Sequence, residues 1–231
     1  MEFLLTGIPL CGTLNKIEIN DKTRGGGKEI VTCRESNRIM NVLIINASPR
    51  KKGITSTLLD EVKRVINPTY RIDTVRIQDL EIKPCIGCLK CRPDKPCVLP
   101  KDDAHILAEK IKEADLLIIG SPVYWGNMPG TLKLFFDRNV PLFEYCEAKA
   151  IKYIPRPQLK GKKAILIING AAPFPYNLLP SQSSGTIRSL KTVLKAGGIK
   201  IVSIINVTNT FNFEKNKHNY LNKIKRIISS V

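Results

Sequence analysis

Several features that would assign a chain to a common class are missing from this 231-residue sequence. No apolar run approaches the roughly 20 residues that a membrane-spanning helix needs. The apolar start, residues 1–10, is short, contains Glu2 and lacks a basic segment, so it is a poor signal peptide. We therefore expect no membrane association and no export, which together with reduced cysteines predicts a cytoplasmic protein.

The glycine motifs of the common nucleotide-binding folds are also absent. There is no G-x-G-x-x-G, no P-loop lysine pattern, no internal repeat and no low-complexity tract. No helix-turn-helix or other nucleic-acid reader can be found, and aromatic residues make up only 6% of the chain, too few to suggest a platform for stacked bases. The sequence therefore predicts no nucleic-acid partner.

Acidic residues are few: 20 Asp and Glu stand against 37 Lys and Arg, which gives a formal net charge of +17. Such a balance favours partners that carry negative charge, for example phosphorylated cofactors or an acidic protein. The basic residues are dispersed along the chain, so the alternative is a highly charged surface that only faces solvent.

Histidine is scarce as well, with two in the chain, and this bears on a compact cysteine array at residues 85–97. The spacing is C-x2-C-x2-C-x5-C, and the three-residue repeat of its first part is typical of iron–sulfur ligands. Zinc sites usually use two separated C-x2-C pairs or cysteine with histidine, and only His105 is nearby. A cluster is favoured, with zinc and unrelated thiols as the alternatives; the candidate ligands are Cys85, Cys88, Cys91 and Cys97. The other cysteines, Cys11, Cys33 and Cys146, are scattered and predicted to be small apolar side chains.

Apolar strands alternate with amphipathic helices from residue 40 onward. This order predicts an α/β fold, a doubly wound five-stranded parallel sheet with helices on both faces. Residues 1–39 are predicted to be an N-terminal extension of uncertain structure, 40–231 the α/β domain, and 139–162 an irregular stretch. The predicted strands are 41–47, 70–77, 114–120, 163–169 and 199–207, and the predicted helices are 58–66, 101–112, 131–138, 181–196 and 213–228.

Two of the predicted strands end in loops that suit a cofactor. The first strand runs into a hydroxyl-rich loop and a helix start, an arrangement whose N–H and hydroxyl groups can hold a phosphate, although an ordinary helix cap is the alternative. The third strand ends in the loop 121–130, which contains the only Trp. Ligands of open α/β sheets bind at this end of the strands, so a flat ring system would suit the loop.

Taken together, these motifs resemble the iron–sulfur flavoproteins of anaerobic archaea and bacteria, within the flavodoxin-like NAD(P)H-dependent FMN reductase superfamily. The resemblance rests on residues 48–57, on the cysteine array and on residues 120–138, and it covers about 40–230. It implies that 40–231 is an FMN-binding domain with a flavodoxin-like fold. It also implies one FMN and one 4Fe–4S cluster per subunit and assembly into homodimers or homotetramers. Two departures are Ile54, where many relatives have Asn, and an idiosyncratic third loop that begins at Asn169.

Carried over to this chain, the resemblance assigns three groups of FMN-binding residues. It assigns the phosphate to Ser48, Arg50, Thr55, Ser56 and Thr57, the isoalloxazine to Pro122, Val123, Tyr124, Trp125, Gly126 and Asn127, and the third loop to Asn169, Gly170 and Ala171. No side chain is predicted to be catalytic, because FMN and the cluster would carry the chemistry.

The leading hypothesis is a redox enzyme that relays electrons between a reduced donor, such as ferredoxin or another acidic electron-transfer protein, and an acceptor. One alternative is an NAD(P)H-dependent FMN or quinone reductase in which the cysteines are vestigial or bind zinc. Another is a regulatory protein that uses the cluster as a redox sensor.

Overall fold

A parallel sheet of apolar strands forms the centre of the molecule. The computed structural model describes residues 39–145 and 156–231. Its strands are β1 Asn41–Asn46, β2 Arg71–Arg76, β3 Leu116–Pro122, β4 Glu144–Tyr145, β5 Arg156–Pro157, β6 Lys163–Asn169 and β7 Lys200–Val207. Its helices are α1 Ile54–Val65, α2 Asp103–Glu113, α3 Gly130–Arg138, α4 Val140–Phe143, α5 Ser183–Ala196 and α6 Phe213–Ile228, with short 3-10 turns at Ile77–Asp79, Tyr176–Leu178 and Thr210–Asn212.

The five long strands lie in the order β2-β1-β3-β6-β7, and all of them pair in parallel. This is the flavodoxin-like order, in which strand order reverses between the first strand and the third, and a cleft for ligands opens at their carboxyl ends. The predicted fold class is confirmed. The short strands β4 and β5 form a separate antiparallel pair.

Strand alternation divides the core between the two faces of the sheet. Leu43 and Ile45 of β1 are buried with side chains of α2, α3 and α5, whereas Val42 and Ile44 are buried with α1 and α6. Successive residues of a strand point to opposite faces, so a strand covered on both faces must be apolar throughout. This requirement explains the uninterrupted apolar runs of the sequence.

Most observed element bounds lie within one or two residues of the predicted ones, and three differences bear on the candidate site or on the irregular stretch. Helix α1 begins at Ile54 rather than at residue 58, because Gly53 serves as its N-cap and the hydroxyl residues enter its first turn. Strand β3 extends to Pro122, since its pairing with β6 continues to the end of that strand. Within 139–162, predicted to be irregular, the described residues form α4 and the β4–β5 pair, so that prediction is wrong.

Parts of the sequence prediction lie outside the described residues. These parts are the extension 1–39 apart from Ile39, and the three scattered cysteines. Among the helices of residues 39–145 and 156–231, none is long and apolar enough to cross a membrane.

Candidate cofactor-binding site

The three predicted cofactor loops meet at the carboxyl edge of the sheet, and Asn169 joins them. The backbone N–H of Val123 donates to the carbonyl oxygen of Asn169 at 3.0 Å. The hydroxyl of Thr55 donates to the side-chain oxygen of Asn169 at 2.6 Å. A Cβ added to Gly170 would lie 3.2 Å from the side chain of Val123, so the second and third loops are in close contact. The fold thus brings together loops that are far apart in sequence.

Hydrogen bonds among hydroxyl, amide and backbone groups hold the first loop, between β1 and α1, in shape. Asn46, at the end of β1, donates through its side-chain amide to the hydroxyl of Ser56 at 3.0 Å and accepts the backbone N–H of Ser48 at 2.9 Å. The hydroxyl of Ser56 in turn donates to the carbonyl oxygen of Arg50 at 3.2 Å. The loop is therefore held in shape by its own side chains, and Arg50 is left exposed at its rim.

Helix α1 presents an N-terminus that suits an anion. Its N-cap is Gly53, which offers no side-chain acceptor, and its first turn contains no acidic residue. The first N–H groups of a helix have no partner within the helix, and the helix dipole favours negative charge there. The 12-residue helix therefore leaves its amino end available for a phosphate such as that of FMN.

The second loop contains a tight turn with a strained backbone. The N–H of Tyr124 donates to the carbonyl oxygen of Asn127 at 2.9 Å, and the reverse bond is 2.8 Å. The two central residues have positive φ, 51° at Trp125 and 71° at Gly126, as in a type I′ turn. A bulky residue rarely adopts this conformation, and such strain is concentrated at functional sites. The turn holds the Trp125 side chain 99% exposed at the edge of the candidate site.

The predicted site residues at the carboxyl edge of the sheet differ in burial and in hydrogen-bond partners. Thr55 is buried with its hydroxyl on Asn169, and Thr57 donates to the carbonyl oxygen of Gly53 at 3.2 Å, so both help to build the loop. Pro122 ends β3, Asn127 accepts the N–H of Met128, and Ala171 is exposed. Whether each of these residues contacts FMN stays a prediction.

The cysteine array lies in a loop between β2 and α2. Cys85 and Cys88 are exposed, and Cys91 and Cys97 are partly buried. Within residues 39–145 and 156–231, no three or more His, Cys, Asp or Glu side chains are gathered as a preformed metal site, so the convergence of the four sulfurs remains a prediction.

Local features of the array are nevertheless those of a thiolate loop. Gly87 and Leu89 have positive φ, which turns the chain sharply on either side of Cys88. The backbone N–H of Gly87 donates to the sulfur of Cys85 at 3.4 Å. Burial raises the pKa of the Cys91 thiol, and the neighbouring sulfurs of Cys97 and Cys85 raise it further. A metal cluster binds cysteine sulfurs as thiolates, and the four sulfur donors within residues 85–97 are a ligand set that suits one.

Both ends of the array are fastened by four side chains, Asp102, Asp103, His105 and Arg138, here called the clamp. On the entry side, the N–H groups of Glu81 and Lys83 donate to Asp103 and Asp102 at 2.7 and 3.1 Å. On the exit side, Nε2 of His105 donates to the carbonyl oxygen of Cys97 at 3.2 Å, while its Nδ1 accepts the Asp102 N–H.

Arg138 completes the clamp from the end of α3. Its guanidinium donates to Asp102 at 2.8 and 3.3 Å, to the carbonyl oxygen of Lys83 at 2.7 Å and, through Nε, to the sulfur of Cys97 at 3.2 Å. The Arg138 side chain is completely buried, and Asp102 is 10% exposed. One buried ion pair therefore connects the entry and the exit of the array.

The clamp shifts the pKa values of its ion pair. Burial alone would raise the pKa of Asp102, but the Lys83 N–H and the Arg138 guanidinium outweigh burial and lower it. Burial would lower the pKa of Arg138, and its hydrogen bonds to Asp102 and Cys97 reverse that effect. Both groups are thus held in their charged forms.

We expect Asp102→Asn to destabilise the fold by about 3–5 kcal/mol at pH 7, because it leaves the buried Arg138 charge unpaired. Asparagine caps helices as well as aspartate does, so the loss reports the charge. A carboxyl with a lowered folded pKa stabilises the protein above its unfolded value, about 3.9, and this contribution disappears as the pH falls through the folded value.

Urea denaturation between pH 7 and pH 3 measures this effect. The stability of the wild type should fall on acidification, and the variant should lack that part of the fall. The matched control is Asp79→Asn, whose carboxyl is 55% exposed beside Arg76 and should change stability by less than about 1 kcal/mol. Equal stability of Asp102→Asn and wild type at pH 7 would contradict the assigned ion pair.

Asp102 and Asp103 also begin helix α2: Asp102 is its N-cap and accepts the N–H of Ala104, and Asp103 lies in the first turn. Sequence reasoning missed Asn46 and Arg138 as site residues. The signal for Asn46 was a polar residue that ends an apolar strand just before the phosphate loop. Arg138 offered only a positive charge at the end of a helix, and its partners lie 36 to 55 residues away along the chain.

This geometry is that of the flavodoxin-like domains, whose ligands bind at the carboxyl edge of the sheet. The family model for NADPH-dependent FMN reductase matches residues 40–176. The chain therefore belongs to the NADPH-dependent FMN reductase family, a family of oxidoreductases.

Curated relatives of this chain are named iron–sulfur flavoproteins. An iron–sulfur flavoprotein of Methanocaldococcus jannaschii is 38% identical over 104 residues, which are 45% of this chain and 53% of that protein. One from Archaeoglobus fulgidus is 33% identical over 163 residues, which are 69% of this chain and 64% of that protein. The chain thus matches between half and two-thirds of the length of these relatives, and the resemblance predicted from the motifs is confirmed.

Solved structures support the fold. A protein of Streptococcus mutans superposes with a TM-score of 0.69 at 19% identity, over 83% of this chain and 100% of the other. An FMN-dependent NADH-azoreductase of Bacillus anthracis, solved in complex with FMN, gives 0.65 at 14% identity, over 83% and 99%. At these identities the similarity establishes the fold alone.

Proposed function

We propose that this chain binds FMN at the carboxyl edge of the sheet and a 4Fe–4S cluster at the cysteine array, and that it relays electrons between a one-electron donor and an acceptor. The observation that carries the proposal is the placement of α3. The helix begins at Gly130, directly after the predicted isoalloxazine loop, and ends at Arg138, which contacts Cys97. One rigid element therefore connects the two candidate cofactor sites.

The chain's own residues bind and orient the cofactors. The amino end of α1, with Ser48 and Arg50, would hold the FMN phosphate, and the strained turn at Trp125 would cover one side of its ring. The four cysteines would ligate the cluster. When bound, FMN exchanges one or two electrons and a 4Fe–4S cluster exchanges one. A chain that binds both groups is therefore suited to relaying electrons.

The proposal is tested by rapid reduction of the purified protein with reduced ferredoxin under anaerobic conditions. We expect the FMN absorption to bleach faster with ferredoxin than with NADPH. The alternative, an NAD(P)H-dependent FMN or quinone reductase without a functional cluster, is favoured by the family description and predicts the reverse order. Rapid bleaching by NADPH with no response to ferredoxin would replace our proposal with that alternative.

Electron transfer from an acidic protein should slow as the salt concentration rises. The charge of +17 would steer such a partner, and exposed charges are screened beyond a Debye length of about 8 Å at physiological ionic strength. Stopped-flow rates between 20 mM and 500 mM salt measure this dependence, with a small uncharged reductant as the control. A rate of reduction by ferredoxin that does not change with salt would favour the alternative, in which the positively charged surface only faces solvent and does not steer a partner.

Assembly into a homodimer or homotetramer is also part of the proposal. Large apolar side chains near the candidate site are exposed, among them Trp125 and Phe174 at 99% and 75%, and a second copy would cover them. Light scattering on the protein as it elutes from a size-exclusion column tests this assembly.

We place the protein in the cytoplasm, where thiols stay reduced. A redox-sensing regulator gains no support from the described residues or the comparisons.

A further inference from the structure

We propose that Arg138 is a positioning residue that sets the reduction potential of the cluster through its hydrogen bond to Cys97. The inference rests on the proposed function, because it assumes that Cys97 ligates iron. The observation behind it is a completely buried guanidinium whose Nε–H lies 3.2 Å from the Cys97 sulfur.

The other contacts of Arg138 explain why this hydrogen bond is held in place. Two nitrogens of the fork are fixed by Asp102, and one of them also donates to the carbonyl oxygen of Lys83. Arginine is suited to this role, because its planar fork satisfies several acceptors in fixed directions and stays charged. The third nitrogen, Nε, is therefore directed at the sulfur of Cys97.

The expected effect follows from charge. A cluster bound by the four cysteines and reduced by one electron from a donor such as ferredoxin would carry one more negative charge, and the sulfur of Cys97 would then be a better acceptor for Arg138. A hydrogen bond to a ligand sulfur stabilises the reduced form more than the oxidised form, and so raises the potential. Arg138 keeps its proton throughout, because an arginine guanidinium stays charged in proteins.

A structural role alone would leave the potential unchanged, so the test measures potential. Arg138→Met keeps a long side chain but removes every donor, and Arg138→Lys keeps the charge without the fork. The matched control is Lys133→Met, which removes one positive charge from an exposed position on the same helix. Because Arg138→Met leaves Asp102 buried without its partner, the variant with both Arg138→Met and Asp102→Asn is measured beside it.

Midpoint potentials are determined by redox titration, with electron paramagnetic resonance for the cluster and absorption for FMN. We expect a more negative cluster potential in Arg138→Met and in the double variant, an intermediate value in Arg138→Lys, and the wild-type value in Lys133→Met. The FMN potential should stay constant in all four. A cluster with the wild-type potential in both Arg138→Met variants would overturn the inference and leave the proposed function standing. A wild-type protein that takes up no iron and sulfide would overturn both.

Discussion

Serine in place of any one of the four array cysteines is expected to abolish the broad visible absorption of the cluster and to leave FMN bound. A 4Fe–4S cluster needs one thiolate on each iron, so the loss of one ligand exposes an iron to solvent and oxidation. FMN should stay, because its predicted phosphate site at the start of α1 is on a different loop. The expected loss is most of the iron and sulfide per chain. The variants are Cys85→Ser, Cys88→Ser, Cys91→Ser and Cys97→Ser.

The remaining cysteines of the chain provide the matched controls. Cys11→Ser, Cys33→Ser and Cys146→Ser make the same chemical change at positions outside the described residues, and they should retain iron, sulfide and FMN. Electron flow from ferredoxin should fall in the array variants more than direct chemical reduction of FMN does. Normal iron content in all four array variants would show that the array is not the ligand set.

Alanine in place of Gly126 is expected to weaken FMN binding by at least tenfold. The left-handed conformation of Gly126, with φ of 71°, costs a residue with a side chain about 1–2 kcal/mol. An added Cβ would also lie 2.2 Å from the carbonyl oxygen of Pro180 and 2.7 Å from Cα of Ser181. These are backbone atoms, so the turn that presents Trp125 must move away from the segment just before α5.

Gly130→Ala is the control for this substitution. Gly130 belongs to the same segment, but a Cβ added there meets nothing within 4 Å, and its φ is not positive. Fluorescence titration of the FMN-free proteins with FMN compares the two variants with wild type, and each 1.4 kcal/mol corresponds to a tenfold change in Kd. Wild-type affinity in Gly126→Ala would mean that this turn does not shape the flavin site.

The sequence was sufficient for the fold because the sheet is covered on both faces. Uninterrupted apolar runs such as 163–169 are read directly as buried parallel strands, and β6 has those bounds. The start of α1 was misjudged because the helical spacing of apolar residues begins only at Leu58, whereas Gly53 caps the helix earlier. Apolar periodicity locates the buried face of a helix better than its polar first turn.

The sequence predicts which loops form the candidate site, but it does not predict the hydrogen bonds that connect them. Loops at strand ends follow from topology, since the carboxyl ends of parallel strands share one edge. The bond from Thr55 to Asn169 spans 114 residues, and the bond from Arg138 to Cys97 spans 41. Such pairs depend on which helix ends beside which loop, and a single sequence contains no signal for that placement.

The binding of both cofactors is tested by the metal and flavin content of the wild-type protein, prepared under strict exclusion of oxygen and reconstituted with iron, sulfide and FMN. We expect about four iron and four sulfide per chain, with about one FMN and the absorption of both groups. Stoichiometric zinc in place of iron, or a folded protein that takes up no FMN, would contradict this expectation.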